Sequence, residues 1–141
     1  MSKKKRATCI VEMPNSAGEL CVLMSKQLGD QYDMLPGGRV EVGEPPIVSA
    51  IRELLEETTL ESDLVFKLSE YESQYTMHYV FYIRTSHYNF EPKDDVESLW
   101  LLPLSQCQHI EKKPNVSRST KHILGEYLQW RKGRKAIAEL L

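Results

Sequence analysis

Residues 35–60 read LPGGRVEVGEPPIVSAIRELLEETTL, and this stretch decides how the rest of the chain is read. The adjacent Gly37 and Gly38 permit backbone conformations and a close ligand approach that side chains resist, so Leu35 to Val40 is a candidate functional loop. Glu44-Pro45-Pro46 then opens a helix, because proline is favoured in a first turn and a carboxylate suits the positive end of the helix dipole. The helix is expected to run to about Thr58. Ile47, Ala50, Ile51 and Leu54 fall at i, i+3, i+4 and i+7, an expected buried stripe that leaves Arg52, Glu53, Glu56 and Glu57 largely outside it.

Glu53, Glu56 and Glu57 are three and four residues apart, so a helix sets their carboxylates along one side, within reach of a common cation. An all-oxygen site of carboxylates, a backbone carbonyl and water suits Mg²⁺ or Mn²⁺, which also bridges to phosphates. A bare acidic cluster is more simply a solvated helix face with an Arg52–Glu56 ion pair, worth ~0.3 kcal/mol. The full spacing goes further: Gly38, five residues, Glu44, seven residues, Arg52-Glu53-Leu54, Leu55, Glu56-Glu57, Thr58, Thr59, Leu60.

That spacing resembles the catalytic box of the Nudix hydrolase family, with Leu35-Pro36-Gly37 similar to its usual lead-in. The departure is Thr59, where the family usually ends the helix on glycine, and a β-branched residue resists the left-handed conformation that glycine adopts cheaply. The resemblance implies an α/β Nudix fold, a mixed β-sheet sandwiched between helices (α/β/α). It implies that the Gly37 carbonyl, Glu53, Glu56 and Glu57 hold Mg²⁺, or alternatively Mn²⁺, while Arg52 and Glu44 orient and support the catalytic glutamates. The implied reaction is attack of water on a phosphorus of a nucleoside diphosphate derivative. Glu53, Glu56, Asp94, Asp95 and Glu97 are all open as the base for that water.

Outward from the box, Thr8–Met13 and Glu19–Met24 are expected as strands joined through the turn formers Asn15-Ser16-Ala17-Gly18. Downstream, Leu64–Glu70, Tyr75–Arg84 and Glu97–Leu102 read as further strands, with a polar loop over Tyr88–Asp95. From Ser117, the spacing of Ile123, Leu124, Tyr127, Leu128 and Trp130 predicts a C-terminal helix with Ser117 or Ser119 as cap. Glu111–Asn115 reads as a loop before it. The expectation is a single domain over residues 1–141, with residues 1–6 a flexible, solvated arm.

The 141 residues, 41% of them hydrophobic, are enough for one ordinary core, and the formal charge of -2 offers no global attraction to nucleic acid or an anionic membrane. Cys9, Cys21 and Cys107 are odd in number and lack metal-ligand spacing, which fits a reducing cytoplasm better than a disulfide framework. No apolar run reaches bilayer-spanning length. His78 is expected to be a structural or surface residue, most of Tyr71, Tyr75, Tyr79 and Tyr82 to pack, with a base-stacking ring among them the alternative, and Arg131-Lys132-Gly133-Arg134-Lys135 to be a solvated helix end.

The expected partner is a small nucleotide, with no nucleic acid and no membrane, and a homodimer is compatible with the sequence. A nucleoside triphosphate or similar nucleotide is the default substrate. A dinucleoside polyphosphate is an alternative suggested by Tyr75, and the absence of proline between Leu60 and Glu91 disfavours ADP-ribose. A non-catalytic ligand-sensing or protein-binding Nudix domain is the competing function, with Thr59 as its local hint.

Overall fold

Lys4–Pro14, KKRATCIVEMP, forms the strand around which the sheet is built, because its apolar residues occupy both pleat faces and must be covered on each. The computed structural model describes residues 2–140. Its elements are β1 (Lys4–Pro14), β2 (Leu20–Gln27), β3 (Gly37–Arg39), α1 (Pro46–Thr58), β4 (Leu64–Glu72), β5 (Thr76–Arg84), β6 (Val96–Pro103), α2 (Leu104–Cys107) and α3 (Arg118–Leu140), with a 3₁₀ turn at Ile110–Lys112.

The six strands form one mixed sheet in the order β4-β5-β1-β2-β6, with β3 also paired to β1. β1 runs parallel to β5 from Lys4↔Thr76 to Glu12↔Arg84, while the other pairings are antiparallel. On its other edge β1 pairs with β3 through Arg6–Thr8 and with β2 only through Glu12–Pro14, so the sheet parts between β3 and the end of β2. At the β1–β2 turn the Asn15 side-chain oxygen accepts from the Ala17 and Glu19 amides at 3.0 and 2.9 Å, an Asx turn that closes the hairpin.

Alternation along β1 distributes the core. Ala7, Cys9, Val11 and Met13 pack with Leu23, Phe81 and Ile83 against Ala50 and Leu54 of α1. Ile10 faces the other way, with Val22, Val80 and Tyr82, against Ile123, Leu124 and Tyr127 of α3. The result is the expected sheet between helices. Ser117 caps α3, its hydroxyl accepting the Thr120 amide at 3.3 Å. No described helix is long and apolar enough to cross a membrane. The three cysteines are buried and free.

Four expectations are corrected. Lys4, Lys5 and Arg6 are not a solvated arm, since they pair with Thr76, Met77 and His78 as the start of β1. The stretch expected as a loop over Leu35 to Val40 contains β3, and the 3₁₀ turn at Ile110–Lys112 runs into the expected 111–115 loop. The buried face of α1 is Ser49, Ala50, Leu54, Glu57 and Thr58, whereas Ile47 and Ile51 are exposed. The stripe is rotated because Glu57 finds donors inside the fold and is buried with them, which a purely apolar count along the helix does not anticipate.

Candidate active site

Where the sheet parts, a cavity of about 320 Å³ is lined by Arg6 from β1, Gln27 and Met34 beyond the β1–β2 pairing, Gly37, Gly38 and Arg39 of β3, Glu53 and Glu57 of α1, and Asp94 and Asp95 of the loop before β6. Two glycines let the helix and β3 meet. A side-chain carbon on Gly37, whose φ is +150°, would lie 2.1 Å from the Ala7 carbonyl oxygen, and one on Gly38 would lie 2.2 Å from the Glu53 carboxyl carbon. Gly38 therefore leaves open the space that the Glu53 carboxylate fills.

Each acidic side chain of α1 accepts a hydrogen bond, Glu53 and Glu56 from one shared donor. Glu57 accepts the Gly37 amide at 3.0 Å and the Gln27 side-chain amide at 2.7 Å. Arg52 donates through Nη1 to Glu53 at 2.9 Å and to Glu56 at 3.2 Å. The Arg52 Nε and Nη2 atoms grip both oxygens of Glu44, at 2.9 and 3.0 Å, in the fork geometry that a guanidinium offers and an ammonium does not. Ser49 and the Glu41 amide also donate to Glu44. Arg52 thus ties the Glu44 loop to two glutamates of the helix. Among the described residues no three acidic, histidine or cysteine side chains converge as a ready-made metal cage.

The electrostatics divide these groups. The Arg52 hydrogen bonds and the Ser49 hydroxyl hold the Glu44 carboxyl down at about 2. Burial raises Glu53 and Glu57 above the usual carboxylate range, despite Arg52 beside Glu53 and the Gln27 and Gly37 donors to Glu57. Both are carboxylates whose charged form would gain from a cation. Arg6 also lines the cavity, donating to the Leu35 carbonyl at 3.0 Å.

The acids at the entry to β6 separate into two groups. Asp94 and Asp95 reach the cavity, whereas Glu97 pairs with Lys26 at 3.3 Å and is absent from its wall. Asp94 has φ 51°, a left-handed conformation that aspartate tolerates better than most residues. The loop is pinned on both sides, by the Lys93 amide to the Glu57 carbonyl at 2.9 Å and by the Leu28 amide to the Asp95 carbonyl at 2.7 Å. Thr59 keeps the left-handed exit that glycine would adopt, with φ 67°, and its amide closes on the Leu55 carbonyl at 3.0 Å.

The cavity brings together Gly37, Glu53 and Glu57, with Glu56 alongside on the more exposed helix surface. Sequence reasoning missed Arg6, Gln27 and Arg39. Arg6 lay hidden in a lysine-rich run, and only strand pairing, Arg6↔Arg39, puts the two arginines side by side. His78 lies outside this cavity, buried with its Nδ1 2.9 Å from the Thr8 hydroxyl, the structural member of the two placements expected of it.

The model of the NUDIX domain matches residues 3–123. A solved structure from Chromobacterium violaceum, assigned to the nudix hydrolase family, is 25% identical with a TM-score of 0.76, over 99% of this chain and 89% of that one. The NUDIX domain of Shewanella oneidensis NrtR, solved with ADP ribose, is 13% identical with a TM-score of 0.75, over 92% of this chain and 88% of that one. An Ap4A hydrolase from C. elegans is 16% identical with a TM-score of 0.65, over 92% of this chain and 98% of that one. With the box residues gathered on one helix at the parting of a mixed sheet, and with the family model spanning most of its length, the chain belongs to the Nudix hydrolases, pyrophosphohydrolases that act on acid anhydrides.

Proposed function

We propose that this protein is a divalent-metal-dependent hydrolase that cleaves a phosphoanhydride bond in a small nucleotide derivative, with a nucleoside triphosphate as the first substrate to test. The observation that carries the reading is the one cavity whose lining combines the carboxylates of Glu53, Glu57, Asp94 and Asp95 with the guanidiniums of Arg6 and Arg39. Carboxylates suit a cation, and the two guanidiniums suit phosphate oxygens.

The residues present fit Mg²⁺ or Mn²⁺. The donor set is all oxygen, Gly38 leaves the cradle that Glu53 fills, and the partly buried Glu53 and the buried Glu57 are acids whose ionised form a cation would favour. The Gly37 carbonyl, Glu53, Glu56 and Glu57 would hold the ion, which when bound neutralises phosphate charge and polarises water. Arg52 fixes Glu53 and Glu56 from one side, and Glu44 fixes Arg52 in turn. Arg6 and Arg39 are placed to orient the phosphates. Glu53, Asp94 and Asp95 are the cavity carboxylates available to take the proton of the attacking water, while Glu97 is committed to Lys26.

Ligands named for fold neighbours, ADP ribose and Ap4A, support a nucleotide derivative as the substrate class. The hint toward a non-catalytic domain was Thr59, and its retained left-handed geometry weakens that hint. The test is turnover of nucleoside triphosphates, dinucleoside polyphosphates and other nucleoside diphosphate derivatives by the purified protein with Mg²⁺ or Mn²⁺. Metal-dependent turnover that disappears in Glu56→Gln supports the reading. No turnover across the panel overturns it.

A further inference from the structure

A second cavity, of about 390 Å³, lies between the end of β5 and α3, lined by Arg84, Leu128, Arg131, Lys132, Arg134 and Lys135. Five of these six residues are cationic, in a chain whose formal net charge is -2. Four of the cations belong to the Arg131–Lys135 run that reads in the sequence as a solvated helix end, and folding adds Arg84 from the sheet to them.

The cavity floor is held in place. Glu12, 2% exposed, accepts the Tyr82 hydroxyl at 2.6 Å and the Arg84 Nη2 at 3.2 Å through one oxygen, and the Tyr127 hydroxyl and Arg131 Nη1 through the other. Arg84 also donates to the Tyr82 hydroxyl at 2.6 Å. One carboxylate therefore fixes two guanidiniums and neutralises only one of them. Among the described residues no carboxylate lies within ion-pair distance of Lys132, Arg134 or Lys135. Along β1, Arg6 at the acidic cavity and Glu12 here are six residues apart, ~20 Å along the strand.

We propose that this cavity binds a short linear phosphate chain, such as a diphosphate or triphosphate group. Guanidiniums fixed by a buried acid lose little freedom on meeting phosphate oxygens, and the neighbouring ammoniums add charge at close range. The site recognises phosphate rather than bases. None of the residues that line this cavity is aromatic, and the Arg134 guanidinium lies over the neighbouring Trp130 ring, 4.9 Å from its centroid, so the lining offers cations and not stacking faces. The inference stands whether or not the acidic cavity is catalytic.

The experiment titrates inorganic tripolyphosphate into the full chain in EDTA at constant ionic strength, where the metal-free acidic helix repels the anion. The readout is the NMR signals of the Trp100 and Trp130 indole groups, assigned with Trp130→Phe. The expected result is a saturable shift of Trp130 but not of Trp100. That shift should weaken about tenfold or more in a Lys132→Ala/Arg134→Ala/Lys135→Ala variant and persist in Glu56→Gln. Lys132→Ala/Lys135→Ala, which keeps Arg134 on Trp130, should weaken binding without changing the starting spectrum. No saturable shift, an unweakened shift in both charge variants, or an equal response to sulfate would overturn the proposal. Tighter binding of a single-stranded oligonucleotide than of tripolyphosphate would also overturn it and assign the patch to a polymer.

Discussion

The carboxyl carbon of Glu53 lies 2.2 Å from the place that a side-chain carbon on Gly38 would occupy. Gly38 does not need a left-handed backbone; it is needed because another residue's working group fills the room beside it. Gly38→Ala should therefore push Glu53 aside with little effect on the sheet. A displacement on the order of 1 Å at a reacting group can lower kcat about 10²-fold. Turnover assays beside thermal unfolding would check this, and an alanine variant with unimpaired turnover would show that Glu53 is not where the chemistry depends on position.

Arg52 reaches Glu44, Glu53 and Glu56 with one guanidinium. A lysine keeps the charge but offers one ammonium in place of a planar fork, so it cannot hold both Glu44 oxygens and both helix acids. Arg52→Lys should reduce activity by about 10- to 100-fold, the usual cost of loosening a partner of a metal-binding group, and should raise the Mg²⁺ concentration needed for half-maximal rate. A metal titration of the variant separates this from a general loss of fold, which would lower the rate without moving the midpoint.

Thr59 holds φ 67° at the end of α1. A left-handed conformation costs a side-chain-bearing residue roughly 1–2 kcal/mol, which glycine largely avoids. What threonine returns is one exposed hydrogen bond, from its hydroxyl to the Asn89 carbonyl at 3.3 Å. Thr59→Gly should therefore stabilise the protein by about 1 kcal/mol, raising the melting temperature by a few degrees with activity retained. Calorimetry checks it, and a lower melting temperature would mean that the Asn89 contact outweighs the backbone strain.

The legible parts of this molecule were those carried by local spacing. The helix from Pro46 to Thr58 and its acid set follow from residues within four positions of one another, and strands β1, β2, β4, β5 and β6 from runs of β-branched and aromatic residues. What escaped depends on partners far along the chain. Glu57 is buried because Gln27, thirty residues away, and the Gly37 amide satisfy it. Arg6 belongs to the candidate site because β1 pairs with β3, not because of anything in the KKKR run. Asp94 and Asp95 could be separated from Glu97 only once the loop was seen pinned to α1 and β2. Ile47 and Ile51, apolar and correctly spaced, stay exposed because the polar side of the helix is the side that serves the cavity.

His78 offers a test of how the sheet responds to acid. Its ring is 6% exposed and sits 2.9 Å from the Thr8 hydroxyl. Burial, with the nearby Arg6 charge, lowers its pKa from 6.5 to about 4. The unfolded chain therefore protonates this ring below about pH 6.5, while the folded protein resists protonation until about pH 4. Across that window the unfolded state binds more protons, so stability falls as the pH drops, by something on the order of 3 kcal/mol in full. His78→Gln keeps a polar partner for Thr8 and removes the titration. Urea unfolding at pH 7 and pH 4.5 should show the wild-type protein losing about 2 kcal/mol more than the variant between the two conditions. Equal losses in both proteins would show that the ring is protonated inside the fold and that its burial carries no pH dependence.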